Sequence, residues 1–175
     1  MKKTTILTTL AFVFVLLFSV QTNAQNFAKL DKSPLDIAYY KPTKDAAPQI
    51  KIIYSRPQLN GRDLSTLVPN GKVWRTGANE TTEIQFFQDV TFGGKKIKAG
   101  TYSLFTIPGA TEWTIILNSD LDAWGAYTYN ESHDVMRIQA PVTTGEPIDA
   151  FSIAFEKNTM YLAWGTLRVT IPFTE

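Results

Sequence analysis

The segment Trp74-Arg75-Thr76-Gly77-Ala78-Asn79-Glu80 concentrates more polar chemistry than any other stretch of this chain. An Arg fork, an amide and a carboxylate supply matched donors and acceptors. Arg75, Asn79 and Glu80 can therefore orient sugar hydroxyls or grip a ligand carboxylate, and Gly77 lets the backbone between them turn freely. Arg56 and Arg62 lie upstream, and three inward-facing guanidiniums would make an anionic pocket. A plainer arrangement is favoured by how common such networks are: Arg75 pairs with Glu80 or Glu83 and ties the loop to a strand.

Aromatic rings form a second constellation. Trp124 and Tyr127, with Tyr129 nearby, fall in a loop-rich segment where a flat apolar face with a polar edge can stack on a sugar. Trp113 and Trp164 sit inside alternating strands, and the core is their expected place. His133 is the only histidine. Beside Asp134 and near Glu131 it could act as a base or a metal ligand. No second His stands at metal-ligand spacing, so an exposed turn histidine is expected. Asn118, Asp120 and Asp122 alternate as oxygen ligands for calcium would, but the EF-hand pattern is missing and such clusters commonly form turns. No metal and no cofactor is expected. Glu80 and Glu83 with Asp134 offer carboxylates for glycoside hydrolysis. There is no Gly-x-Ser-x-Gly elbow and no glycine-rich phosphate loop, and no catalytic residue is assigned.

These residues are carried by 175 amino acids with 17 basic and 16 acidic side chains, a formal charge of +1. That balance provides no basic face for nucleic acid. Lys2 and Lys3 precede an apolar run from Leu10 to Leu17, shorter than the roughly 20 residues that span a bilayer. Thr22-Asn23-Ala24 then supplies the small residues of a cleavage site, so residues 1–24 read as a signal peptide cut after Ala24. The mature chain is expected in the periplasm or secreted, with no stable membrane insertion after cleavage. It contains no cysteine, so packing alone must hold the fold.

Residues 25–48, with Pro34, Pro42 and Pro48, read as a loose lead-in docked through Ile37, Tyr39 and Tyr40. Residues 49–175 form one domain of strands. Expected strands are Ile50 to Tyr54, a segment at Ile84 and Phe86, a Gly100 to Asn118 hairpin, Ala126 to Tyr129, Val135 to Ala140, Phe151 to Phe155, Met160 to Trp164 and Leu167 to Ile171. Gly93-Gly94 marks a tight turn, and a short helix is conceivable near Gly61 to Leu67, with Asp63 or Ser65 as its cap. Short strands patterned on both faces predict an all-β fold, a single antiparallel β-sandwich of jelly-roll or Ig-like two-sheet form.

Several motifs occur in a fixed order. They are Tyr54-Ser55-Arg56-Pro57-Gln58, Gly61-Arg62, Leu67-Val68-Pro69, Gly71-Lys72-Val73-Trp74-Arg75-Thr76-Gly77-Ala78-Asn79-Glu80, Gly93-Gly94-Lys95-Lys96, Ala99-Gly100-Thr101-Tyr102, Trp113-Thr114-Ile115-Ile116-Leu117-Asn118 and Trp124-Gly125-Ala126-Tyr127. With them the chain resembles the bacterial family called domain of unknown function 2911, from Pro48 to Thr174. The resemblance implies an exported bacterial protein and brings no activity or catalytic residue. The expectation is a non-catalytic module binding a carbohydrate or another small polar envelope ligand, through Arg56, Arg62, Trp74, Arg75, Asn79, Glu80, Trp124 and Tyr127. The alternatives are a hydrolase using the Arg75/Asn79/Glu80 loop and a structural or protein-interaction domain.

Overall fold

The structure, a computed structural model, describes residues 25–68 and 70–174. The expected signal segment lies outside the described residues. Residues 25–30 form no regular element, and the unit described below begins at Asp31.

Nine strands make one antiparallel sheet: β1 (Leu35–Tyr40), β2 (Ile50–Ser55), β3 (Glu83–Phe86), β4 (Val90–Phe92), β5 (Lys95–Ile97), β6 (Gly100–Ile107), β7 (Glu112–Asn118), β8 (Asp134–Glu156) and β9 (Thr159–Thr174). Their spatial order is β1-β2-β3-β6-β7-β8-β9-β4-β5. The lead-in thus contains a full strand, because β1 pairs along its whole length with β2, from Leu35 opposite Ser55 to Tyr40 opposite Ile50. Only Tyr40 docks in the core. Ile37 and Tyr39 are 45% and 47% exposed, because the pleat turns alternate side chains to the outer face.

Four of the expected strands are halves of two long ones. β8 pairs with β7 up to Pro141 and with β9 from Val142 onward, with register breaks between Thr144 and Ile148 and between Ile148 and Ser152. Such irregularities bend a strand. Beyond the bend, Phe155 and Phe173 meet Tyr40, and Phe151 meets Tyr54 across the core. The Ile153 N–H donates to the Tyr54 hydroxyl at 3.1 Å, and Gln58 bridges Ala150. All nine strands are linked neighbour to neighbour in one antiparallel sheet, with register shifts along β8.

The Gly93-Gly94 turn joins β4 to β5 with both glycines at positive φ, +55° and +82°, as a tight hairpin requires. Helix α1 (Leu64–Leu67) is capped by Asp63, whose carboxylate accepts from the Ser65 N–H at 3.0 Å. Ala126 to Tyr129 is a turn leading out of Gly125 and forms no strand. No described helix is long and apolar enough to cross a membrane.

The outer face of the sheet positions the site. Across it, Ile37, Ile53, Glu83, Ser103, Asn118 and Asp134 stand opposite one another in register on β1, β2, β3, β6, β7 and β8. The next row includes Phe105, Ile116 and Arg137. The loop after β7 covers this part, with the Tyr129 ring 4.9 Å from that of Phe105.

Candidate functional site

The Trp74–Glu80 segment is an excursion out of a strand position beside β6. Trp74 exchanges both backbone hydrogen bonds with Thr106, at 2.7 and 2.9 Å, and Thr82 accepts from the Leu104 N–H at 2.7 Å. Between these anchors the chain leaves the sheet and returns, and the Thr82 N–H closes the loop onto the Arg75 carbonyl at 3.2 Å. Thr76 sits at φ +56° and Asn79 at +58°. Positive φ is costly for a β-branched residue such as Thr76. Buried hydroxyls hold it there: Thr76 Oγ1 donates to Thr106 Oγ1 at 3.2 Å, and Thr82 Oγ1 donates to the Thr76 carbonyl at 2.8 Å. Gly77 is needed for space, since a Cβ there would lie 3.0 Å from Thr82 Oγ1 and 3.1 Å from the Ser55 carbonyl.

The outer part of this excursion pairs with the loop after β7. Thr81 N–H donates to the Ala123 carbonyl at 2.9 Å, and Gly125 N–H to that of Asn79 at 3.0 Å. The Thr81 hydroxyl donates to the Gly125 carbonyl at 2.5 Å, and the Asp122 N–H to Glu83 Oε1 at 3.1 Å. Together the two loops border a groove of about 560 Å³ on the outer sheet face, a size typical of small-ligand sites. Leu35, Ile53 and Ser55 form its floor, Trp124 gives an aromatic wall, and Asp31 and Ser33 enter ahead of β1.

The groove is acidic. Asp31, Glu80, Glu83 and Asp122 line it, and no Lys, Arg or His does. Among the described residues none of these four takes part in an ion pair. The Ser33 N–H, 2.7 Å from Asp31, holds that carboxyl below the usual carboxylate range, with the Asn79 side chain adding to the effect. The second hollow, at the β4–β5 hairpin, measures about 320 Å³, and its one carboxylate, Asp89, is already paired with Lys98 at 2.7 Å.

The chain matches the family described as "Protein of unknown function (DUF2911)" over residues 33–173. It belongs to that family. No curated protein and no solved structure matches it. The DUF2911 match begins ahead of β1, so the groove floor at Leu35, Ile53 and Ser55 falls within the family's own span, as do both loops.

The expected site residues part company in this DUF2911 fold. Asn79, Glu80 and Trp124 line the groove. Tyr127 lies two residues past Trp124 and is fully outside, 84% exposed. Trp74 turns inward: it stacks on Trp164 at 5.8 Å and meets Trp113 and Phe151 edge-on, while its indole N–H donates to the Gly77 carbonyl at 3.1 Å. It braces the loop from beneath, with the two tryptophans expected in the core beside it. Arg56 clamps β1 to β8, through Asp36 at 3.0 Å, the Phe151 carbonyl at 3.1 Å and Ser152 Oγ at 2.7 Å. Arg62 donates to the Leu59 and Gln58 carbonyls of its own turn. Arg75 does not line the groove, and its buried Nε has no hydrogen-bond partner. The anionic pocket is therefore not assembled, nor is an Arg75 pairing with Glu80 or Glu83.

The calcium candidates diverge as well. The Asn118 amide donates to the Asn130 carbonyl and to Asp134 Oδ1, each at 2.9 Å. Asp120 faces His133 at 2.7 Å, and only Asp122 reaches the groove. His133 ends a single 3-10 turn, Glu131–His133, and is exposed. Asp134 is drawn away from Glu80 and Glu83 into a closed network. Its Oδ2 accepts from Tyr129 at 2.8 Å and from Arg137 Nε at 2.5 Å, and Arg137 also donates to the Tyr129 hydroxyl. Burial, with the hydrogen bond to Asp134, pushes the Tyr129 phenol up to about 12.

Sequence reasoning missed Asp31, Ser33, Ser55 and Asp122 as groove residues. Asp31-x-Ser33 does carry a readable signal, an Asx turn, but nothing in the sequence places that turn beside Asn79.

Proposed function

We propose that this DUF2911 protein is an exported, non-catalytic binding module for a carbohydrate or another small polar envelope ligand, working in the periplasm or outside the cell. We further infer that its bent sheet serves as a two-layer β-sandwich with the site on one outer face. One observation carries the reading. The groove has room for a sugar and exposes Trp124, at 59%, as a flat wall. Pyranose rings combine C–H faces with rims of hydroxyls, so an aromatic face flanked by hydrogen-bonding groups suits them. Asn79, Ser33 and the groove carboxylates supply that rim of acceptors and donors.

The test uses Trp124 as its own probe. Trp74, Trp113 and Trp164 are buried, so a change of fluorescence on adding oligosaccharide reports Trp124. Saturable quenching or a blue shift is expected, and Trp124→Ala should abolish the response without changing the unfolding midpoint. A folded protein that responds to no glycan overturns the reading. The presence of Glu80 and Glu83 in one groove supports a second reading, a glycoside hydrolase. That reading requires glycan cleavage that disappears in Glu80→Gln.

A further inference from the structure

We propose that the groove takes an amino sugar with free, protonated amines, as a single sugar or within a chain; the proposal rests on the carbohydrate-binding reading above. Four carboxylates line one concavity with no cation among the lining residues. Like charges held together raise each other's energy, most where the surface is concave and partly shielded from water. A folded domain relieves that repulsion by pairing its acids or by binding a cation from outside. Glu80 and Asp122 accept no hydrogen bond among the described residues, and none of the four is ion-paired.

The spacing of these acids narrows the kind of cation. Among the described residues, no three acidic or histidine side chains stand close enough to share a metal ion. The charges are spread along the groove, which suits ammonium groups on a larger molecule better than a compact metal ion. Ser55 is an independent sign of a ligand. It is 2% exposed and shares the outer face with Ile53 on the groove floor, and its hydroxyl makes no hydrogen bond among the described residues without being sealed from solvent. A nearly enclosed hydroxyl with no internal partner is completed by a ligand or by water in the groove. Trp124 fits the same guest, since an aromatic face attracts both sugar C–H groups and an ammonium. Acidic sugars and phosphates are repelled by the same four charges.

Three β-1,4-linked tetrasaccharides with one backbone make the test: those of glucosamine, of N-acetylglucosamine and of glucose. Each is titrated into the protein by calorimetry at low and high salt. The free-amine form should bind at least about tenfold tighter than the other two, the factor worth roughly one charge-assisted hydrogen bond. That advantage should shrink with salt and vanish in Glu80→Gln/Asp122→Asn. Both sites are exposed, and Asn tolerates the left-handed backbone of position 122, so the variant should unfold at the wild-type midpoint. Equal or tighter binding of the neutral chains overturns this inference and leaves the carbohydrate reading standing. Binding of none of the three by the folded protein overturns both. Spermine binding as tightly as the glucosamine chain, and unaffected by Trp124→Ala, overturns the sugar half of the proposal.

Discussion

The stretch of one cross-strand row from Glu83 to Asp134 has a carboxylate at each end and treats the two in opposite ways. At one end Asp134, its side chain only 8% exposed, is enclosed by Arg137, Tyr129 and Asn118. At the other, Glu83 opens into a groove that holds three more acids and no base. Ser103 stands between them, its hydroxyl donating to the Asp120 carbonyl at 2.5 Å and so fixing the loop that serves both ends. A carboxylate whose partners are all internal is part of the fold. The groove carboxylates take at most a backbone N–H and no ion pair among the described residues, so their charge stays open to solvent.

The largest expected effect lies at the closed end. Asp134→Ala strands Arg137 with only the exposed Glu131, 3.3 Å away, and leaves the Tyr129 hydroxyl without its acceptor. Breaking a mostly buried ion pair costs about 3 kcal/mol or more, and urea unfolding should show a loss of that size. A loss below about 1 kcal/mol would break the contrast between the two ends.

Tyr129→Phe removes two hydrogen bonds, one to Asp134 and one from Arg137, each worth about 1 kcal/mol, and its sharper signature is alkaline. A phenol raised to about 12 in the folded protein favours the fold fully while the unfolded phenol is also protonated, below about pH 10. That contribution decays as pH climbs from about 10 through about 12. Wild-type stability should therefore fall over this window, and the variant should show a shallower fall; parallel curves would mean that Tyr129 is not held by the network.

At the open end the smallest effect on stability is expected. Glu80→Gln should change the unfolding free energy by no more than about 0.5 kcal/mol, as for exposed side chains generally, or raise it slightly by easing repulsion. A clear loss of stability would make Glu80 a structural partner and bring the two ends closer together.

Much of the fold was legible because it is local. The alternation of Ile50, Ile52 and Tyr54, the Gly93-Gly94 turn and the Asp63 cap each depend on neighbours a few residues away. β1 was harder to read, since Ile37 and Tyr39 look like docking residues until the pleat parity set by β2 turns them outward. β8 and β9 run on through Gly145, Pro147 and Gly165, residues that read along the chain as strand ends; the structure keeps pairing on both sides of them and takes up the irregularity as shifts of register. In the site, Asn79, Glu80 and Trp124 were identified by residue type, and so was Trp74, which packs in the core instead. An indole has the same composition whether it faces a sugar or three other rings.

The sequence by itself determined the antiparallel all-β character, the family and the polar segment from Trp74 to Glu80, because periodicity, turn residues and ordered motifs are written along the chain. Only the tertiary structure decided which side of that loop faces the groove. Register across the sheet fixes which residues share a face, and one residue of slip would invert it. That register sends Trp74 inward, engages Arg56 with β8, and brings Asp31, Glu80 with Glu83, and Asp122 from three separate segments to one groove.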